Sequence, residues 1–265
     1  MFGNTFYHGT LRKYVVVFGN MFNGVYVQRF NSNNERIQTL KVPIAYGPKE
    51  KFLVRLAQDP NLDQDVAVSL PRIGFEMTDI SYASIRKLPS TQKNFSTNNS
   101  NSKNLLSQYR PVPYDINFQM SIFVKNADDG TQILEQILPY FQPEWTNSIN
   151  LIPEMNLAYD VPCTLNSVTV EDTYEGDFST RRALIWNLSF TMKGYIFGPV
   201  STSGVIKRAT VNYSSDVEST SPELISTTTP GLTSGGVPTS NTARSVSAND
   251  IDADDDYGFA RTLTE

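Results

Sequence analysis

The chain has 265 residues and a mass of 29.7 kDa, enough for one large domain or two small ones around a sizeable core. Its apolar share is 39% and its charged share 18%, with one histidine, one cysteine and a net charge of −5. Those counts exclude a two-histidine zinc site and an intramolecular disulfide, and leave only His8 for any histidine-dependent triad. The start lacks a basic-then-apolar leader, and no window approaches the ~18 apolar residues of a membrane span, so the expectation is a soluble protein made in a cytoplasm.

Along the chain, Leu11, Tyr14, Val15, Phe18, Phe22 and Val25 recur at helical spacing, and Gly24 is placed to stop that helix near Asn23. Residues 37–45 read as extended. Gly47-Pro48 opens a second helix over 49–58, with Phe52, Leu53 and Leu56 on one side. Ile73, Phe75 and Met77 then alternate with polar partners, and the apolar phase slips by one to Ile80 and Tyr82, which predicts a β-bulge near Asp79. Residues 88–107 are rich in Ser, Thr and Asn and read as a mobile loop.

The clearest strand runs through Tyr114, Ile116, Phe118, Met120, Ile122 and Val124. A turn at 126–130 leads to a third helix carrying Ile133, Leu134, Ile137 and Leu138, which Pro139 ends or kinks. Strands follow at 165–171, 184–192 and 205–213. Residues 216–265 hold 16 Ser or Thr, and nine acids against Arg244 and Arg261, without apolar periodicity; alone they are expected to be disordered. The fold class is therefore α+β: a mainly antiparallel β-sheet flanked by about three helices, with a disordered, acidic, Ser/Thr-rich C-terminal arm. The division is a core at 1–215, with a flexible loop at 88–107, and a low-complexity acidic tail at 216–265.

Nucleotide, dinucleotide and serine-hydrolase motifs are all missing. Asp128 and Asp129, with Glu135, form the one acidic group in the body that invites an acid/base or metal hypothesis. The spacing of Asp129 and Gln132 fits a helix capping box instead. The run Asp250–Asp256 lacks the glycine and glutamate of a calcium loop. Cys163 reads as a small buried hydrophobe, and His8 as a packing or surface residue. Arg181-Arg182 could meet phosphate, although adjacent strand residues face opposite sides, so one of them can simply be the polar side of that strand. No catalytic, metal or cofactor residue is expected. The unusual feature is Pro139-Tyr140-Phe141-Gln142-Pro143 followed by Trp145: three aromatics around two prolines in backbone read as irregular. They either cap the core or anchor another subunit, and Tyr140, Phe141, Pro143 and Trp145 are the candidate protein-interface residues.

The stretches VPIAYGPKEKF (42–52), LPRIGFEMTDISY (70–82), SQYRPVPY (107–114), SIFVKNADDGTQILEQILPYFQP (121–143) and RRALIWNLSF (181–190) together resemble the tail sheath stabiliser and completion family of T-even-type contractile-tailed phages. The opening MFGNTFYH and the GPV…GVIKR run (198–208) fit too, so the resemblance covers about residues 1–213. The acidic tail departs from it. The resemblance implies a homohexameric ring at the head-proximal end of a virion tail. Its implied partners are copies of itself, the tail-tube terminator protein, the tail sheath protein and the neck or head-completion proteins. Genomic DNA would meet it only in passage through an axial channel; no membrane and no reaction are implied. An adhesin-type binding module is the alternative, suggested by the strand content and the Ser/Thr-rich tail. An acidic-site enzyme is the third reading.

Overall fold

A computed structural model describes residues 5–31, 35–57, 70–98, 101–172, 184–216 and 221–264. Arg181-Arg182 lie outside the described residues. In chain order the elements are α1 (Thr10–Met21), β1 (Tyr26–Phe30), β2 (Arg36–Lys41), β3 (Ile44–Tyr46), α2 (Lys49–Ala57), β4 (Arg72–Tyr82), β5 (Lys93–Asn98), β6 (Asn101–Tyr109) and β7 (Val112–Val124). They continue with α3 (Ala127–Ile137), β8 (Glu144–Ile152), β9 (Leu157–Asp172), β10 (Leu184–Ile196), β11 (Ser201–Gly204), β12 (Ala209–Tyr213), β13 (Leu224–Gly231) and β14 (Gly258–Thr264). The expectation of an α+β fold with three helices and a mainly antiparallel sheet is met.

The centre is a six-stranded sheet in the order β3-β4-β7-β10-β9-β8, in which only β3 and β4 run parallel. Helix α1 lies on one face because its apolar stripe matches that sheet's alternation. Tyr14, Phe18 and Phe22 recur every four residues and are buried. They meet Ile116, Phe118 and Met120 from β7, and Leu188, Phe190 and Met192 from β10, in one core cluster. Phe18 stacks on Phe118 with ring centres 4.3 Å apart and touches the Phe190 ring at 5.3 Å. The other face carries a smaller cluster in which Phe52 of α2 meets Phe123 and Ile185. Beside it, Ser121 Oγ donates to Asn187 Oδ1 at 2.8 Å, and Asn187 Nδ2 donates to Glu171 Oε1 at 2.7 Å. Lys49 closes that chain by pairing with Glu171.

The bulge is where the phase slip placed it: the β4–β7 register shifts between Met77 and Asp79. Three expectations are corrected. Much of the segment read as a loop at 88–107 forms the hairpin β5–β6, joined by β11. Its strands pair through backbone, so Ser and Asn suffice on their exposed sides; among the described residues there, Leu106, Ser107 and Gln108 are the buried ones. Gln108 Nε2 donates to Gly198 O at 2.7 Å, and His8 Nε2 reaches the same carbonyl at 2.9 Å, which gives His8 a tethering role. The strand expected over 205–213 is shorter: residues 205–208 lie outside any strand, and only β12 (Ala209–Tyr213) falls in that range.

The third correction concerns the C-terminal arm. Residues 221–264 are not disordered: β12, β13 and β14 make a three-stranded antiparallel sheet, which straddles the boundary drawn at residue 215. Its apolar content is small, with Leu232, Ile251 and Ala260 buried. The order comes from the polar side chains that seemed to argue against it. Thr239 Oγ1 accepts from Asn241 N at 3.1 Å, Asn241 Oδ1 from Ala243 N at 3.0 Å, and Asp255 Oδ2 from Asp252 N at 2.8 Å. Each satisfies a backbone donor locally and fixes a turn.

Tyr14 is built into this core as a polar clasp. Its hydroxyl donates to Tyr195 O at 2.8 Å and accepts from Tyr195 N at 2.7 Å. Burial pushes its pKa up from 10.0 to about 12, and burial likewise lifts the Cys163 thiol from 9.0 to about 12. Both groups hold their protons in the folded state at pH values where the unfolded chain has released them. Their contribution is therefore whole below pH 9, and is lost as pH climbs from there, for Cys163, and from 10, for Tyr14, towards 12. Tyr14→Phe should cost about 1–3 kcal/mol by leaving the Tyr195 backbone groups unpaired. It should also flatten the alkaline fall in stability, measured as urea midpoints at successive pH values. An unchanged alkaline slope would remove Tyr14 from this account.

Candidate interaction surface

The candidate aromatics lie where α1, α3 and β8 meet. Helix α3 begins at Ala127 after Asn126, three residues before the start that a capping box at Asp129 requires. That reading is corrected. Asp129 instead points at β1, where it is almost fully buried and accepts from Arg29 at 3.1 Å. Gln132 does not reach back to the helix start. Its amide accepts from Gln28 N at 2.9 Å and donates to Gln28 O at 3.1 Å. Gln136, one turn on, does the same with Tyr26, at 3.2 Å and 2.6 Å. Two glutamines at i and i+4 thus imitate a neighbouring strand and satisfy alternate residues of the β1 edge. No sequence motif announces this pairing; the only trace is the four-residue spacing.

The acidic group is dispersed by the same arrangement. Asp129 is committed to Arg29, Asp128 is exposed in the first turn of α3, and Glu135 faces a groove beyond it. Among the described residues, no three His, Cys, Asp or Glu side chains come together to hold a metal ion.

That groove, about 430 Å³, runs from Phe22, Gly24 and Val25 at the end of α1 to Pro139, Tyr140 and Trp145. A 3-10 turn over Leu138–Tyr140 and a cis Gln142–Pro143 bond carry the chain from α3 into β8. Trp145 is the second residue of β8, so the stretch read as irregular ends in a sheet edge. Three of the four candidate residues form one cluster. Tyr140 stacks on Trp145 at 5.1 Å, and Phe141 meets Trp145 at 6.1 Å. Phe141 turns inward to Phe190 at 5.3 Å and Phe22 at 6.2 Å. Tyr140 is 62% exposed. Phe141 caps the core, while Tyr140 and Trp145 form an apolar wall outside it. Pro143 makes the turn and is exposed.

The arrangement is an aromatic groove at a sheet edge, beside a helix whose Asp129, Gln132 and Gln136 side chains are committed to β1. The chain belongs to the T4-like virus Myoviridae tail sheath stabiliser family, whose family model matches residues 5–259. The match extends well past residue 213, so most of the acidic C-terminal segment belongs to the family as well, against the sequence expectation. It is 32% identical over 220 residues to the tail completion protein gp15 of Enterobacteria phage T4, covering 79% of this chain and 78% of that protein.

Proposed function

We propose that this chain is a structural protein of a contractile virion tail, six copies of which close into a ring at the head-proximal end. The ring holds the extended sheath in register by binding the tube terminator and the last sheath ring. It then presents the surface on which the neck and head-completion proteins dock. DNA passes through its axial channel without base-specific contact. No cofactor and no bond-making step belong to this role, and assembly takes place in the host cytoplasm.

The observation that carries this reading is the family membership over residues 5–259. The surface chemistry supports it: a closed ring uses one patch against a different patch, so each copy needs two distinct contact surfaces, and the Tyr140–Trp145 groove qualifies as one. The test is assembly. Light scattering on the eluted full chain should give six times 29.7 kDa, and electron microscopy should place rings on the head-proximal ends of tails. Tails grown without the protein should fail to join heads. Stable, extended tails joined to capsids in its absence would overturn the proposal.

A further inference from the structure

The six-stranded sheet has two different ends to its strand order. Ile80 pairs with Ile116, Ile116 with Met192, Met192 with Cys163 and Cys163 with Trp145, so one cross-sheet row links β4 to β8. Four interstrand steps separate those ends, about 19 Å at ~4.8 Å each. Among the described residues, β3 pairs with Ile73–Phe75 alone, so at the Tyr82 end β4 is itself the edge. The groove and the far end of β4 therefore lie at opposite edges of the sheet.

At that far end the chain makes a 3-10 turn over Ser84–Arg86, and Ile85 at its apex is 99% exposed. A lone exposed isoleucine is ordinary; this one is held out on a rigid mount. Arg86 N donates to Ala83 O at 3.1 Å, and Lys87 N to Ser84 O at 3.2 Å. The Arg86 guanidinium donates to Tyr114 O at 3.0 Å and Asp115 Oδ1 at 2.6 Å, and lies over the Tyr195 ring. Ala83 N is fixed to Pro113 O at 3.2 Å. Half-exposed Tyr82 and Val112 flank the turn, and Tyr82 meets Tyr114 edge-on at 5.9 Å. The apex is thus pre-ordered, so seating it in a pocket costs little conformational entropy.

We propose that the Ile85 turn of one copy seats in the groove between α1, α3 and Trp145 of a second copy of this chain. Apolar character and charge both favour that occupant. The apex is apolar with the exposed cation Lys87 two residues on; the groove is walled by Phe22, Pro139, Tyr140 and Trp145, with the exposed anion Glu135 on its rim. Knob and groove sit on opposite edges of one sheet, so each copy that accepts a neighbour still offers its own knob to the next. Such a head-to-tail contact either closes into a ring or grows into a fibre. The inference rests on the ring reading above and names the surfaces that would close it.

The test uses the full chain, in which Cys163 is fully buried and silent towards thiol reagents. Variants I85C and E135C, both at exposed positions, are treated with a short bis-maleimide linker separately, mixed, and combined in one chain. The mixture should give a covalent dimer, neither variant alone should, and the double variant should give a ladder of higher multimers. Ile85→Asp should leave the far-UV circular dichroism unchanged and raise the concentration for half-association at least tenfold. Lys87→Glu and Glu135→Lys should each weaken association, and together restore it. A wild-type chain that sediments as an oligomer, with no covalent product from the mixture, would overturn this contact while leaving the ring. A wild-type chain that stays monomeric at every concentration, with no product, would overturn both.

Discussion

Phe18→Ala should lower the stability of the folded protein by about 3–5 kcal/mol, the cost of removing a fully buried aromatic side chain. Phe18 sits where the helix α1 stripe meets both central strands. Its ring stacks on Phe118, turns an edge to Phe190, and also touches Phe22 and Phe75 at 5.1 and 5.3 Å. Four aromatic neighbours around one position cannot all move inward, so most of the cavity stays open. Domain stabilities are typically about 5–15 kcal/mol, so this loss is a large share of the whole. The effect should reach the groove, because Phe22 and Phe190 also hold Phe141. Val16 on the same helix is 52% exposed and provides the control: Val16→Ala should stay within about 0.5 kcal/mol. Urea midpoints for the two variants decide the matter. Equal losses would mean that α1 does not pack through Phe18.

The parts of this architecture that were legible in the sequence are those whose side chains alternate with burial. Strand β7 announced itself because Ile116, Phe118, Met120 and Ile122 all point into one core. The bulge at Met77–Asp79 was legible for the same reason: a slip in the apolar phase has no other economical cause. Strand β8 was hidden because it is an edge, with Thr146, Ser148 and Asn150 turned to solvent and little apolar rhythm to read. The hairpin β5–β6 was hidden because backbone pairing, not burial, defines it.

Of the candidate surface, the aromatics themselves were legible from composition and spacing between prolines. Which of them faces inward was not, because that depends on Phe190, which is distant in sequence. The Gln132 and Gln136 contacts to β1 were masked by a local rule that fits the same residues, the capping box; a long-range partner won over a short-range one. Ile85 gave no signal, since exposure and rigidity are properties of the folded chain alone.

Gly231→Val should loosen the C-terminal sheet while sparing the six-stranded one, by at least about 1–3 kcal/mol. A Cβ at Gly231 would stand 2.1 Å from the carbonyl oxygen of Thr239, a distance no side chain tolerates. The obstacle is backbone, which cannot swing aside as a side-chain tip can. A Cβ at Gly258, directly across the sheet from Gly231, would meet the same carbonyl at 3.0 Å. The chain at Thr239 therefore crosses close over this glycine pair, held by the bond from Thr239 N to Gly231 O at 3.0 Å. Adding a β-branched side chain must lift that crossing, and the turns fixed by Thr239 and Asn241 would lose their base. The variant should become sensitive to limited proteolysis within 221–264, with the fragment ending near Tyr213 still folded and still showing the aromatic signal of the α1 core. This is the measurement that separates an ordered arm from the disordered one that a Ser/Thr-rich, acidic composition suggests. A disordered arm has no crossing to disrupt, so wild type and variant would then be cut equally fast at the same sites.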